Sequence, residues 1–231
     1  MYTWFQPIIS LLAQVLSVLE SALHDWGFAI IALTLLVKLA LYRFNLTIAR
    51  QQVLSAAMNP QMKKLRETYG QDPAALMKEM TKLQQQHGYR PLAPFMGMLL
   101  QLPVLSAMYG LFLTHGSTMT SILVPWVPHL SAADPMHLIP IITGLLSFAV
   151  GLIPLTEITG APTMPVGQKV FLGVVLMALP LFVTWRSPIA LGLYWIGGTL
   201  FNLLERLFYR TALGKRLLNK GRAEVSQPSL S

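Results

Sequence analysis

The chain has 231 residues, 54% hydrophobic and 11% charged, with a formal charge of +8. A water-soluble domain carries roughly 25% charged residues, so this composition excludes an ordinary soluble globule and asks for lipid against most of the surface. The absence of cysteine excludes disulfides, thiol catalysis and Cys-based metal sites.

Residues 5–23 open the chain with an interrupted apolar segment. Ser10, Gln14, Ser17 and Ser21 recur at steps of four, three and four. They form one helical stripe opposite Ile8, Leu12, Val15 and Leu19. The expected element is an amphipathic helix in the outer membrane interface, with an additional span as the other reading. The segment lacks the basic start of a secretory signal and the Arg-rich character of a transit peptide.

The first span is expected over 27–47, behind Trp26 as an interfacial anchor. Residues 48–90 read as polar and helical. Asn59-Pro60 and Asp72-Pro73 each look like an N-cap followed by proline at the first helical position. Met58, Met62, Leu65 and Tyr69 stripe the first of these helices, and Leu76, Met77, Met80 and Leu83 stripe the second. The pair predicts an antiparallel helical hairpin. Further spans are expected at 93–114, 137–153, 168–185 and 189–209. An outer loop at 115–136, an inner loop at 154–167 and a tight turn at Arg186-Ser187-Pro188 connect them. The tail from Arg210 to Ser231 reads as basic, then polar and frayed.

Lys and Arg cluster in 50–90 and 206–222, and none falls in 1–37 or 91–168. Basic blocks alternating with apolar segments follow the positive-inside rule. They do not describe the basic folded face of a nucleic-acid binder, so no direct DNA binding is expected. The fold class is an all-α integral membrane protein with five transmembrane helices, N-terminus outside and C-terminus in the cytosol. Its parts are an outer amphipathic helix (1–24), a five-span core (25–210) that includes a cytosolic hairpin (48–92), and a basic tail (211–231). A bacterial plasma membrane is the simplest location.

Lys38 carries the chemistry. It lies eleven residues after Gly27, about 16 Å deep at roughly 1.5 Å per residue, near the middle of a hydrocarbon core about 30 Å thick. A charge there costs at least ~2.5–3.5 kcal/mol. Thr34, Lys38, Tyr42 and Asn45 fall at steps of four, four and three and make one polar stripe, which points to a hydrated groove. The plainer reading has Lys38 snorkelling to an interface. Arg43, farther round the helix, reads as an interfacial anchor. Gln101 in the second span either faces Lys38 or bonds between helices. The fifth span offers Tyr194, Thr199 and Asn202, and its Gly197-Gly198 pair permits close helix packing. Methionines in the hairpin read as apolar filler or as an adaptable surface for varied clients. No protease, hydrolase or nucleotide-binding motif is present, so neither an enzyme nor a cofactor is expected.

Several segments in order resemble the YidC/Oxa membrane protein insertases. These are Trp26–Ile31, Thr34–Lys38, Gln71-Asp72-Pro73, His87–Leu92, Met98–Pro103, Tyr109-Gly110-Leu111, Leu130–Pro135 and Gly192–Trp195. The resemblance covers about 25–210. It implies a five-helix core with a cytosolic hairpin after the first span, and a hydrophilic groove open to cytosol and lipid but closed outside. A positive residue of the first span sits in that groove, usually Arg and here Lys38. Lys keeps the charge without the planar fork. Neither the large outer domain and extra N-terminal span of many Gram-negative members nor the lipoprotein-type signal peptide of Gram-positive ones is expected from this sequence. Ala149-Val150-Gly151-Leu152 replaces the family's polar end of the third span.

The resemblance implies a membrane protein insertase and chaperone. Lys38, Thr34, Asn45, Gln101, Tyr194, Thr199 and Asn202 are its expected client-binding groove. Arg50, Met58, Met62, Lys63, Lys64, Met77 and Met80 are its expected hairpin contacts with client or ribosome. Nascent membrane proteins, the ribosome, the Sec translocon and the lipid bilayer are the expected partners. The rival is a small anion transporter or channel using Lys38. The outer loop, without a charged mouth, weighs against it.

Overall fold

The computed structural model describes residues 6–153, 155 and 166–219. These form α1 (Gln6–Leu23), α2 (Trp26–Ala40), α3 (Tyr42–Tyr69), α4 (Pro73–Gln86), α5 (Ala93–His115), α6 (Leu138–Leu152), α7 (Val166–Thr184), α8 (Ile189–Arg210) and α9 (Ala212–Asn219). Among the described residues there is no strand. The chain divides into two compact units. One comprises the described parts of 1–41, 99–153 and 165–205, and the other those of 42–98, 154–164 and 206–231.

In the first unit, Leu16 of α1, Ile30 and Leu33 of α2, Met108, Leu111 and Phe112 of α5, and Leu191 of α8 share one core. α1 packs along α2. Its polar stripe points outward as expected, and Ser10 and Ser21 turn their hydroxyls back onto the carbonyls of Pro7 and Val18. The apolar face differs by one position. Ile9, not Ile8, is buried, and Ile8 is 46% exposed, because the buried line runs Ile9–Leu12–Leu16–Leu19 at helical spacing.

Asp25 starts α2. Its backbone is extended (φ −157°, ψ 130°) and its carboxylate accepts the Phe28 N–H at 3.0 Å, the usual N-cap bond. The same carboxylate accepts the Ser121 hydroxyl and the Ile122 N–H, both at 2.8 Å. Gly27 is needed here, since a Cβ would run into Ser121 Oγ. Burial pushes the Asp25 pKa up, but hydrogen bonds from Ile122, Phe28 and Ser121 outweigh it, and the net position is below the ordinary 3.8.

A depressed folded-state pKa gives stability that is present above the unfolded value and lost as pH falls through the folded one. Resistance of the reconstituted protein to thermal unfolding is therefore expected to fall on acidification below about pH 3.8. Asp25→Asn is expected to unfold earlier at neutral pH and to lose part of this acid dependence. An acid profile that Asp25→Asn leaves unchanged would refute the assignment.

Asp134 organises the connection before α6. Only 2% exposed, it accepts Trp126 Nε1–H at 2.9 Å and the Met136 and Ile139 N–H groups at 3.0 and 2.8 Å. Leu130 N–H donates to Met119 O, and Ile189 N–H to Ala132 O, each at 2.8 Å. The loop at 115–136 is thus tied back on itself and onto the start of α8. α6 and α7 pack together, and a Cβ on Gly173 would lie 2.9 Å from the Phe148 ring. α7 turns Phe171 and Phe182 outward, 70% and 85% exposed, an apolar face suited to lipid.

In the second unit, α4 starts as predicted, with Pro73 at its first turn and Asp72 accepting the Ala74 and Ala75 N–H groups at 3.0 Å. α3 and α4 pack together, and the predicted stripe residues Met58, Met62, Leu65 and Tyr69 of the one and Leu76, Met80 and Leu83 of the other are buried or half-buried. Met77 is a correction: it is 73% exposed, because one residue's step of 100° carries it off the face that Leu76, Met80 and Leu83 share.

Three further expectations are corrected. Asn59-Pro60 does not start a helix, since α3 runs through Pro60. The run of helix formers on either side outweighs the one N–H bond that proline forfeits. The predicted 27–47 helix breaks at Leu41, where α2 ends and α3 begins at Tyr42. No proline or glycine marks this break. The tail is not frayed over its first part: α9 packs on α3, Leu218 is buried with Ala49 and Tyr209, and Arg50 donates to Leu217 O through Nε (3.1 Å) and a terminal nitrogen (2.8 Å). Residues 220–231 and most of the 154–167 loop, including Glu157, lie outside the described residues.

By length and composition α1 and α7 each suffice to cross a bilayer, and α2 with α3 makes a third candidate if the broken pair counts as one span. α6 is a shorter apolar helix.

Candidate functional site

The site is built where α2 meets α8. Gly197 has no side chain to hold the helices apart: a Cβ there would lie 3.2 Å from Thr34 Cβ and 3.4 Å from Ile31 Cα. Such small-residue crossings are how membrane helices approach closely. Thr34 is fully buried and its hydroxyl donates to Ile30 O at 2.7 Å. Thr34 is thus a packing residue at this crossing, and its polar group is already satisfied by its own helix.

Lys38, one turn on, is half-buried. Its Cε lies 3.6 Å from where a Cβ on Gly198 would stand, so the aliphatic stem lies over the glycine. Glu205 stands on α8 seven residues beyond Gly198 and on the same helical face. Sequence reasoning missed Glu205. The signal was present: Tyr194, Gly198, Asn202 and Glu205 recur at steps of four, four and three, the same spacing that singled out the stripe around Lys38.

Gln101 bonds between helices. Its Nε2 donates to the hydroxyl oxygen of Tyr194 at 2.8 Å, and Tyr194 is almost wholly buried. This links α5 to α8 through a side-chain pair inside an apolar bundle, where an unpartnered amide or phenol is costly. Thr199 is buried and donates to Trp195 O at 2.9 Å, while Asn202 is half-buried. Asn45 is half-buried on α3, so the break at Leu41 leaves Thr34 and Lys38 on one helix and Tyr42 and Asn45 on the next.

The residues expected in the hairpin fall into two sets. Met58 is buried, and Met62 and Met80 are half-buried, leaving Met77 as the open methionine among these four. Lys63 and Lys64 are exposed. Lys63 pairs loosely with Glu67 at 3.9 Å, and Lys64 lines a shallow groove with Leu65, Glu79 and Lys82. Arg50 is engaged with α9, as described above.

Apolar helices crossing at glycines, with a cation and an amide–phenol bond among them, define an integral membrane protein with a polar site inside its helical body. The chain belongs to the 60Kd inner membrane protein family, whose model matches residues 18–216. It is 31% identical over 208 residues to the membrane protein insertase YidC of Legionella pneumophila (strain Corby), a match covering 89% of this chain and 35% of that protein. With the YidC of Histophilus somni (strain 2336) it shares 30% over 212 residues, 90% of this chain and 38% of the relative. The chain therefore spans little more than a third of the length of these relatives. Its fold is similar to the crystal structure of an active YidC insertase with the first transmembrane domain resolved. The TM-score is 0.70 at 19% identity, over 90% of this chain and 47% of that one.

Proposed function

We propose that this protein is a membrane protein insertase and chaperone of the bacterial inner membrane. The observation that carries the reading is Lys38: a cation half-buried in the first apolar helix, lying on a glycine of α8. The family membership and the insertase relatives support it.

In this reading five spans are formed by α2 with the start of α3, α5, α6, α7 and α8, with the N-terminus outside and the C-terminus in the cytosol. α1 lies along the outer face, α3 and α4 form the cytosolic hairpin within 48–92, and 211–231 is the cytosolic tail. A nascent span with a short acidic outer segment meets the hairpin first, through Met77 and the basic side chains of Lys63 and Lys64. Its polar segment then enters a hydrated groove, attracted by Lys38 and bonded by Asn202 and the Gln101–Tyr194 pair. This lowers the cost of bringing polar groups to mid-bilayer. Thr34 and Thr199 shape the wall. The apolar span slides sideways into lipid, where its burial favours release, past α5 and α7. Nascent membrane proteins are the clients, and the ribosome and the Sec translocon are the partners that deliver them. No nucleotide, cofactor or DNA takes part in this route.

The test is photocrosslinking in reconstituted vesicles, with the probe at position 101, at position 202, or on the outward face of α7 at position 182. A stalled single-span client is expected to crosslink at 101 and 202 through its polar segment and at 182 through its apolar one. A client that reaches none of these positions while still inserting would overturn the route.

A further inference from the structure

α9 starts directly after α8, with only Thr211 between them. Thr211 Oγ donates to Phe208 O at 2.7 Å and accepts the Gly214 N–H at 3.2 Å, which caps the new helix. Gly214 sits on the end of α8, and a Cβ there would run into Phe208 O. At about 100° per residue, Leu213, Gly214, Leu217 and Leu218 share an apolar arc of about 140°, and Arg216 and Lys215 flank its two edges. Only part of that arc is covered. Gly214 and Leu218 are buried, while Leu213 is 66% and Leu217 37% exposed. Lys215 and Arg216 are exposed as well. The bonds from Arg50 to Leu217 O and the burial of Leu218 with Ala49 and Tyr209 fix the rotation of the helix, so the fold itself holds the leucine pair outward.

We propose that α9 is an interfacial anchor: Leu213 and Leu217 dip into the bilayer beside the end of α8, and Lys215 and Arg216 hold the headgroups of anionic lipids. This rests on the reading of α8 as the fifth span and goes beyond it by assigning the tail a partner. A helix that begins directly past a span lies at headgroup level, and one whose apolar face is edged by basic residues settles in that plane. The charge selects the lipid, since Lys and Arg at the surface favour anionic headgroups over neutral ones. A nucleic acid would engage the two cations and leave both leucines in water. The helix has eight residues, too few to persist unaided. Contacts on two sides, α3 and lipid, supply what its length does not.

The chain contains no cysteine, so Leu213→Cys and, in α8, Leu200→Cys can each carry a single bimane label on the full chain in nanodiscs. Leu200 is 37% exposed, and its label reports whether α8 lies in lipid. The probes are phosphatidylcholine and phosphatidylglycerol bearing a quenching nitroxide on the acyl chain, supplied in turn at equal mole fraction. Both labels are expected to be quenched, and at 213 phosphatidylglycerol is expected to quench about threefold more than phosphatidylcholine. Lys215→Gln combined with Arg216→Gln is expected to erase that preference while quenching persists. An unquenched label at 213 beside a quenched one at 200 would overturn the anchor and leave the span reading intact. An unquenched label at 200 would overturn α8 as a span, and the anchor with it. Quenching at 213 without a lipid preference would overturn the role of the two cations. Emission at 213 that shifts to the blue only when purified ribosomes are added would overturn the anchor in favour of a ribosomal contact.

Discussion

Lys38→Glu is expected to abolish rescue of insertase-depleted cells for clients with acidic outer segments, lowering their insertion by at least about tenfold, while Lys38→Arg rescues. Like charges brought together at a desolvated site cost several kcal/mol, and the variant places a carboxylate against the acidic segment of the client. Arginine keeps the sign and adds donors, so its rescue separates charge from shape. Clients whose outer segment is neutral are expected to suffer much less. The measurement is protease protection of matched acidic and neutral single-span clients after depletion. Equal loss for both client types, with normal membrane levels of the variant, would remove electrostatics from the mechanism and leave Lys38 as a packing or hydration element.

Gly197→Leu is expected to disrupt the helix crossing itself. The missing Cβ already has Thr34 Cβ and Ile31 Cα as neighbours at 3.2 and 3.4 Å, and one of these is backbone, which cannot turn aside. Overpacking of this kind costs about 1–3 kcal/mol in a dense core. Here it also lifts Gly198 away from the Lys38 stem. Insertion of acidic and neutral clients alike is expected to fall, together with the thermal midpoint in detergent, whereas Gly197→Ala needs shifts of only a few tenths of an ångström and is expected to be mild. A stable, fully active Gly197→Leu protein would show that α2 and α8 do not depend on this approach.

Much of this architecture is written locally. Asp72-Pro73 caps α4 as its chemistry requires, and α5, α6, α7 and α8 lie close to their predicted positions because long apolar runs between turn residues have few alternatives. Local signals fail where a distant partner decides. Nothing near Leu41 in sequence announces the break between α2 and α3. Pro60 looks like a helix start until the helix formers on both sides outvote it. Thr34 reads as a polar groove residue, yet its hydroxyl is spent on Ile30 O and its methyl faces a glycine far away in the chain, Gly197. Gln101 left two readings open, and the choice between them depended on Tyr194 standing opposite.

The Arg50–Leu217 bonds change how deletions at the C-terminus are to be interpreted. A chain cut after Arg210 loses more than basic residues. It uncovers Ala49 and Tyr209, which share their burial with Leu218, and it deprives a guanidinium of the carbonyl it grips. Low yield or weak growth from such a cut would report damage to this packing before it reported lost contact with a ribosome. Cutting after Asn219 instead keeps α9 in place and isolates the contribution of the last twelve residues.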